Sequence, residues 1–220
     1  MKTIIRILLC LFALMFALTP LAGAIEPYTT YTYAKDGTPR ISPTAYSPVM
    51  NVDSEYMGLD VKLDDPRDLF VDCDGNVYIV DAANNRVIVL DPNYKLSFEI
   101  KDFINDQGIP DGFTKPSGVF ANDKQIYVCD TDANRIVVFD REGNFEKILA
   151  KPSSALFGED SIYKPIAVAV DQYDRIYVIS STTYQGIIVM TDAGEFTGFI
   201  GAQAVPMTAW EIIWRRFQTK

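Results

Sequence analysis

A stretch that recurs about every 50 residues limits the folds open to this chain more than any other sequence feature. Residues 66–91 read PRDLFVDCDGNVYIVDAANNRVIVLD, and related stretches occupy residues 116–140 and 165–191. Three prolines and three tyrosines mark equivalent positions, at intervals of 49 or 50 residues: Pro66, Pro116 and Pro165, and Tyr78, Tyr127 and Tyr177. A repeat of this length built from short strands indicates propeller blades or an array of similar modules.

Each copy contains four segments of strand character. In the first copy, the segments at 69–71, 77–80 and 87–90 are almost continuously apolar, as expected of strands covered on both faces. The segment at 96–100 alternates apolar and polar residues, which is typical of a half-exposed outer strand. Four strands joined by tight turns describe one propeller blade. We therefore predict an all-β fold in which residues 61–203 form three four-stranded antiparallel blades, at about 61–101, 112–150 and 162–201.

The first two copies also share a more specific signature. Residues 77–87 read VYIVDAANNRV and residues 126–136 read IYVCDTDANRI. These motifs resemble the NHL repeat of exported β-propeller proteins, over about residues 60–200, although the Asn-His-Leu that names the family is absent. The third copy has Ser180 in place of the aspartate and Gln185-Gly186 in place of Asn-Arg. The resemblance implies a six-bladed, TolB-like propeller, but not an activity, because this scaffold hosts binding modules and enzymes alike.

The N-terminal residues have the pattern of an export signal. Lys2 and Arg6 precede or flank the start of an apolar run at 7–18, and residues 22–24, AGA, fit cleavage after small residues. The run is too short to span a bilayer comfortably. We predict a signal peptide at 1–24 and an exported protein, secreted or held at the cell surface.

The N-terminal arm, residues 25–60, contains one further strand candidate. Residues 28–33, YTTYTY, have the aromatic and β-branched composition of a strand. Residues 37–48 are rich in proline, serine and threonine, which is typical of an extended connection. In closed propellers an N-terminal strand often completes the final blade, and this is one interpretation of 28–33. The other is a frayed arm.

Beyond the third copy, residues 204–220 have the pattern of an amphipathic helix. A capping-box pattern runs from Thr208 to Glu211, and the apolar stripe comprises Trp210, Ile213, Trp214 and Phe217. Propellers close with four or more blades, so we predict that these three blades are the front part of a six-bladed propeller. An alternative is that two such chains pair with two-fold symmetry. The open edge favours self-association.

The composition excludes several chemistries. The chain has no histidine, so the histidine-dependent chemistry of NHL-like amidating lyases and streptogramin-lyase-like propellers is excluded, as are Ser-His-Asp and Cys-His sites. Without the signal, 18 basic and 29 acidic residues remain, which argues against nucleic acid and anionic membranes as partners. Cys73 and Cys129 fall at opposite ends of neighbouring blades, so we predict two separate thiols.

Two polar motifs have a structural and a functional interpretation. The pairs Asp81 with Arg86 and Asp130 with Arg135 each end one strand and begin the next, so the aspartate can accept turn N–H groups while the arginine reaches it. We predict that these pairs fix the turns. Residues 72–76, DCDGN, superficially resemble a calcium loop, but the glycine comes too early and no suitable glutamate follows. We predict a hairpin turn there.

Chain topology predicts where a ligand would bind. If the strands of a blade run from inside outward, the turns at 81–85, 130–134 and 180–185 lie on the same face as the linkers at 101–115 and 150–164. Long loops on rigid scaffolds often carry function, and aromatic residues near carboxylates suit a sugar or a peptide. The candidate binding residues are Phe113, Lys115, Phe157, Glu159, Asp160, Tyr163, Lys164 and Tyr184. The alternative is that the aromatic ones only hold the linkers against the blades.

Together these patterns favour an exported, non-catalytic binding or scaffold module for a carbohydrate, peptide or protein, without cofactor, metal or catalytic residues. The competing hypothesis is a divalent-cation-dependent hydrolase of the gluconolactonase-like kind, whose cation is held by carboxylate and amide oxygens. Aspartate and asparagine are abundant, but they form no recognisable ligand set across the three copies. The rest of such a site would have to lie beyond residue 220.

Overall fold

The structure is a computed structural model that describes residues 30–42, 49–153 and 162–201. The predicted signal peptide at 1–24 and the predicted helix at 204–220 lie outside these residues. The chain divides into two units, residues 1–51 and 52–220.

The first unit contains a two-stranded antiparallel hairpin. Strand β1 (Thr30–Tyr33) pairs with β2 (Pro39–Ser42), and Gly37 supplies a positive φ of 80° in the turn between them. The strand predicted at 28–33 is present over its described part. The prediction of an extended connection over residues 37–48 is wrong for residues 39–42, because there the chain folds back and forms β2, which pairs with β1. The strand partner of β1 is thus local.

The second unit begins with a single helical turn, α1 (Ser54–Met57), which the sequence patterns did not predict. The Asp53 carboxylate accepts a hydrogen bond from the Tyr56 N–H at 2.8 Å, and Gly58 ends the turn in the left-handed conformation. Met57 is buried in an apolar cluster whose other buried members are Val77, Ile79, Ile88 and Leu90.

Blade 1 is a four-stranded antiparallel sheet in chain order, made of β3 (Pro66–Val71), β4 (Val77–Asp81), β5 (Arg86–Leu90) and β6 (Leu96–Ile100). The strands β4 and β5 are buried along their whole length, and β6 is largely exposed, as predicted for an outer strand. The expectation that 69–71 is covered on both faces is wrong, since Leu69 is 60% and Val71 50% exposed. Among the described residues, a second blade stacks on only one side of this sheet.

The linker after blade 1 contains a short hairpin that the sequence did not predict. Strand β7 (Asp102–Ile104) pairs with β8 (Pro110–Gly112). Phe103 in β7 and Phe113 just after β8 are both buried. The hairpin therefore anchors the linker through two aromatic side chains.

Blades 2 and 3 repeat the same antiparallel order. Blade 2 consists of β9 (Pro116–Ala121), β10 (Gln125–Asp130), β11 (Arg135–Asp140) and β12 (Phe145–Leu149). Blade 3 consists of β13 (Pro165–Val170), β14 (Ile176–Ser180), β15 (Gly186–Met190) and β16 (Phe196–Gly201). This confirms the predicted all-β fold of four-stranded antiparallel propeller blades.

Two apolar cores hold the blades face to face. The core between blades 1 and 2 includes Tyr78, Val80, Val87, Val89 and Ile100 from one sheet, and Val119, Val128, Val137 and Phe139 from the other. The core between blades 2 and 3 includes Tyr127, Cys129, Ile136, Val138 and Leu149, and Val168, Ile176, Val178, Ile188 and Met190. The innermost strands β3, β9 and β13 contact one another in series, as strands around a common propeller axis do.

The three repeat tyrosines occupy equivalent positions in their sheets, and each hydroxyl donates to a polar side chain near the turn after the first strand. The bonds run from Tyr78 to Asp72 at 3.1 Å, from Tyr127 to Gln125 at 2.6 Å, and from Tyr177 to Asp171 at 3.0 Å. Across residues 30–42, 49–153 and 162–201, no helix has the length and apolar character that a membrane span requires.

Candidate functional site

One face of the second unit collects the segments that enter the blades and the turns between their second and third strands. Three backbone hydrogen bonds join turn to entering segment: Ala82 N–H to Asp65 O at 3.2 Å, Asp132 N–H to Thr114 O at 3.2 Å, and Ser181 N–H to Lys164 O at 3.0 Å. We call this surface the linker face; its described residues are 61–67, 82–85, 101–115, 131–134, 162–164 and 181–185. The turns and linkers thus meet on one face, as the chain topology predicts.

In blade 1, the linker face is held by a buried carboxylate and a buried guanidinium. Asp81 is fully buried and accepts hydrogen bonds from the Asp64 N–H and from Arg86 Nε, both at 2.8 Å. Arg86 also donates to the Val61 carbonyl at 2.6 Å and to Glu99 at 2.9 Å. One ion pair therefore ties the entering segment to the end of β4 and the start of β5.

Blade 2 repeats this arrangement with its own linker. Asp130 accepts from the Thr114 N–H at 2.6 Å and from Arg135 Nε at 2.9 Å. Arg135 also donates to both carboxylate oxygens of Asp111, at 2.7 and 2.9 Å, and to the Gly112 carbonyl at 2.8 Å. Burial raises the pKa of Asp130, whereas the bidentate bond from Arg135 holds the pKa of Asp111 at about 2. Both pairs fix turns and linkers, which is the role predicted for them.

Blade 3 holds its linker with hydroxyl groups instead. Ser180 Oγ accepts from the Lys164 N–H at 3.1 Å, and Thr182 Oγ1 donates to the Ile162 carbonyl at 2.5 Å. The position of the arginine is taken by Gly186. The weaker sequence match of the third copy therefore corresponds to an uncharged version of the same linker contact.

Two of the predicted binding residues are interior residues. Phe113 is 6% exposed and its ring lies 5.6 Å from Phe103 and 5.8 Å from Phe139. Tyr163 is 2% exposed, lies in the core between blades 2 and 3, and its buried hydroxyl has no hydrogen-bond partner among residues 30–42, 49–153 and 162–201. Their assignment to a ligand-facing surface is therefore corrected, because both side chains anchor linkers in the inter-blade cores. Phe157, Glu159 and Asp160 lie outside the described residues.

The other predicted binding residues are accessible on the linker face. Tyr184 is 90% exposed in the third turn. Lys115 is exposed, and its backbone N–H donates to Asn85 Oδ1 at 2.9 Å, which fixes the position of the residue on the turn of blade 1. Lys164 is half-buried, and its Nζ lies 2.6 Å from Asp132 Oδ1. Lysines at the entries of blades 2 and 3 are thus brought to the same face.

Sequence reasoning missed two residues of this group, Asp132 and Arg67. The pKa of Asp132 lies below its ordinary value chiefly because Lys164 donates to it, with smaller contributions from the charges of Lys115 and Arg67. Arg67 itself pairs with Asp65 at 2.9 Å. Of the basic residues at the blade entries, Lys164 thus contacts Asp132 directly, and Arg67 contacts Asp65. The sequence feature that could have indicated this group is the basic residue next to each repeat proline, namely Arg67, Lys115 and Lys164.

The motif that superficially resembles a calcium loop forms a hairpin turn, as predicted. The Asp72 carboxylate accepts from the N–H groups of Asp74 and Asn76, at 3.0 and 2.9 Å, from the Tyr78 hydroxyl and from Arg141. Burial has the largest single effect on the pKa of Asp72, and it raises that pKa. The hydrogen bonds, with that of Arg141 first, together outweigh burial and hold the pKa of Asp72 well below its usual range. In the part of the chain that the structure describes, no three acidic, cysteine or histidine residues are grouped as metal ligands.

The sequence matches no known protein family and no curated protein. Similar solved structures include virginiamycin B lyase from Staphylococcus aureus, at 16% identity and a TM-score of 0.42, with 81% of this chain aligned to 50% of that one. A streptogramin B lyase aligns at 13% identity and a TM-score of 0.41, over 77% and 46% of the two chains. A gluconolactonase from Xanthomonas campestris aligns at 19% identity and a TM-score of 0.47, over 77% and 54%. The chain spans about half the length of these structures, and similarity at this level says nothing about its activity.

Proposed function

We propose that this chain is an exported binding module whose linker face recognises a carboxylate-bearing segment of a peptide or protein. The observation that carries the proposal is that Arg67, Lys115 and Lys164, at the entries of three successive blades, lie on one face, where Lys164 Nζ is 2.6 Å from Asp132 Oδ1. The whole chain has a net charge of −9, and within this group the three basic side chains outnumber Asp65 and Asp132, the carboxylates paired with Arg67 and Lys164. Complementary charge steers and selects partners more than it adds raw affinity.

Lys115 is the member of this group best placed to meet a ligand. Its side chain forms no ion pair with any residue of the described ranges, whereas Arg67 and Lys164 are paired with Asp65 and Asp132. Those two pairs are substantially exposed, so each is weak and can be exchanged for a ligand carboxylate. The buried pairs below them keep the backbone of the face fixed, which lowers the entropy cost of binding.

The placement of the aromatic residues favours a peptide over a neutral sugar. A sugar needs an exposed aromatic ring on which to stack, and of the described candidates only Tyr184 supplies one. The side chains of Phe113 and Tyr163 are buried in the inter-blade cores and cannot contact a ligand on the surface. The charged residues, in contrast, remain accessible for carboxylates.

Export rests on residues 1–24, with their basic start, apolar run and small-residue site. Expression in a secreting bacterial host, followed by N-terminal sequencing, tests it. A mature chain that starts at Ile25 is expected. A protein that keeps residues 1–24 and stays in the cytoplasm contradicts export.

Binding can be tested with labelled poly-L-glutamate as the probe, and with neutral dextran as the competing class of ligand. We expect salt-sensitive binding of polyglutamate that weakens at least about tenfold in Lys115→Glu and Lys164→Glu, since like charges placed together cost several kcal/mol. The matched control is Lys124→Glu. Lys124 is an exposed lysine in the turn between the first two strands of blade 2, and it forms an ion pair with Asp174. This control should bind normally.

Three outcomes contradict the proposal: no binding of polyglutamate, equal loss in all three variants, or preferential binding of dextran. The cation-dependent hydrolase makes a different prediction, namely a divalent metal in the purified protein and a lower melting temperature in the presence of a chelator. Metal analysis and a thermal shift assay on the same sample distinguish the two functions.

A further inference from the structure

A cavity of about 520 Å³ lies on the side of blade 1 away from blade 2. One wall is the sheet itself, whose apolar lining comes from its first three strands: Leu69, Val77, Ile79 and Leu90. The other wall is the segment 52–63 that precedes the blade, and it includes Met57. Cavities of this size and mainly apolar lining are typical of sites that enclose a small ligand or a ligand side chain.

The segment 52–63 is fixed to blade 1 by polar contacts as well as by the burial of Met57. Lys95 Nζ donates to the Tyr56 carbonyl at 2.5 Å and lies 3.7 Å from the centre of the Tyr56 ring. Arg86 donates to the Val61 carbonyl at 2.6 Å. Both walls of the cavity are therefore held in place before a ligand arrives, which lowers the entropy cost of binding.

The cavity is open to water on the side of the innermost strand. Leu69 in β3 is 60% exposed, whereas Ile79 and Leu90 in the same lining are 7% and 1% exposed. An apolar side chain placed in the cavity would lose its own contact with water and would cover part of Leu69. Burial of one leucine side chain raises affinity about tenfold or more.

Two charged residues line the cavity, and they differ in what they can offer a ligand. Both carboxylate oxygens of Asp68 already accept backbone N–H groups, Oδ1 from Leu69 and Oδ2 from Val119, each at 2.9 Å. Arg67 pairs with Asp65, and this pair is exposed, so a ligand carboxylate can replace Asp65 as the partner. The charge complementarity of the cavity therefore favours an apolar group next to a carboxylate.

The cavity is continuous with the linker face, because Leu63, Pro66 and Arg67 belong to both. We propose that the cavity receives an apolar side chain of the peptide that the linker face binds, next to the carboxylate held by Arg67. This inference rests on the proposed function. It narrows the ligand class from any acidic segment to one in which a residue such as leucine flanks an acidic residue.

Two labelled peptides of equal length test this inference, one made only of glutamate and one with a single leucine among the glutamates. We expect the leucine peptide to bind at least about tenfold more tightly to the full chain. Leu69→Gln should remove most of this gain and leave the affinity for the all-glutamate peptide unchanged. The matched control is Ile179→Gln, an apolar residue of blade 3 that is 46% exposed, and it should retain the gain. Thermal unfolding of each variant establishes that it is folded.

The outcomes separate this inference from the proposed function. If the all-glutamate peptide binds and the leucine adds nothing, the cavity is not a subsite and the proposed function stands. A gain that persists in folded Leu69→Gln, or an equal loss of both peptides in that variant, also overturns the inference. If neither peptide binds, the proposed function fails and the inference fails with it. If dodecanoate binds while the leucine adds nothing, the cavity takes a lipid and the inference is wrong.

Discussion

Asp130 and Arg135 pair directly across the ladder of β10 and β11, with Arg135 Nε 2.9 Å from Asp130 Oδ2, and Asp81 and Arg86 repeat this relationship at 2.8 Å in blade 1. Each pair closes a four-residue turn whose last residue, Asn134 or Asn85, has a positive φ. The turn therefore places a buried acid where the N–H of the entering linker can reach it. A local motif of six residues in this way fixes a linker that is distant in sequence.

Replacing the arginine of blade 2 should destabilise the fold. Arg135→Met leaves the fully buried Asp130 without its charged partner, and breaking such a pair costs about 3–5 kcal/mol of the free energy of unfolding. Arg175→Met is the matched control, because Arg175 also pairs with an aspartate but is 55% exposed. Urea denaturation of both variants checks this. Equal midpoints for Arg135→Met and the unmodified protein would show that the pair does not stabilise the linker.

Stability should also fall in acid, and Asp111 is one of several carboxylates whose lowered pKa contributes to that loss. Its folded pKa of about 2 lies below the ordinary value of 3.8, so the stabilisation is present above pH 3.8 and is lost as the pH falls toward 2. Asp130 acts in the opposite direction, because burial raises its pKa and its protonation therefore opposes the loss. We expect Asp111→Asn to flatten the dependence of the urea midpoint on pH within this window. An unchanged slope would contradict the assignment.

The blades could be predicted because their signal is repeated. A single turn, such as that between β4 and β5, does not by itself identify a fold. The proline and tyrosine recur at constant spacing in three copies and the Asp–Arg pair in two, and this spacing defines the length of one blade. The β7–β8 hairpin and α1 have no such support. Each contains only three or four residues per element, too few to show a hydrophobic period, and Pro110 and Gly112 locally indicate a loop.

The candidate site was only partly predictable for a different reason. An aromatic residue in a linker, such as Phe113 or Tyr163, can either anchor the linker or face a ligand, and the choice depends on long-range packing. Asp132 was missed because its partner Lys164 is distant in sequence. Only the folded chain brings these charges together.

The two thiols of the blades should differ sharply in reactivity. Cys129 is fully buried and burial raises the pKa of its thiol, whereas Cys73 is exposed in the turn after β3, and the structure joins neither in a disulfide. Because the thiolate is the reactive form, an alkylating reagent should label Cys73 in the native protein and Cys129 only after denaturation. Peptide mass mapping of the labelled sites measures this. Rapid labelling of native Cys129 would mean that blades 2 and 3 do not stack as described.

Gly118 tests that stacking more severely, because it lies where two blades approach most closely. A Cβ at this position would lie 2.5 Å from the Ile166 carbonyl oxygen and 3.1 Å from the Ala167 Cα, both of them backbone atoms of blade 3. Gly118→Ala should therefore force β9 and β13 apart and cost about 1–3 kcal/mol of the free energy of unfolding. Gly198→Ala in β16 is the matched control, since a Cβ there meets no atom within 4 Å, and it should be neutral or slightly stabilising. Thermal or urea unfolding of the two variants decides the question: if Gly118→Ala is as stable as Gly198→Ala, the blades do not meet at this contact.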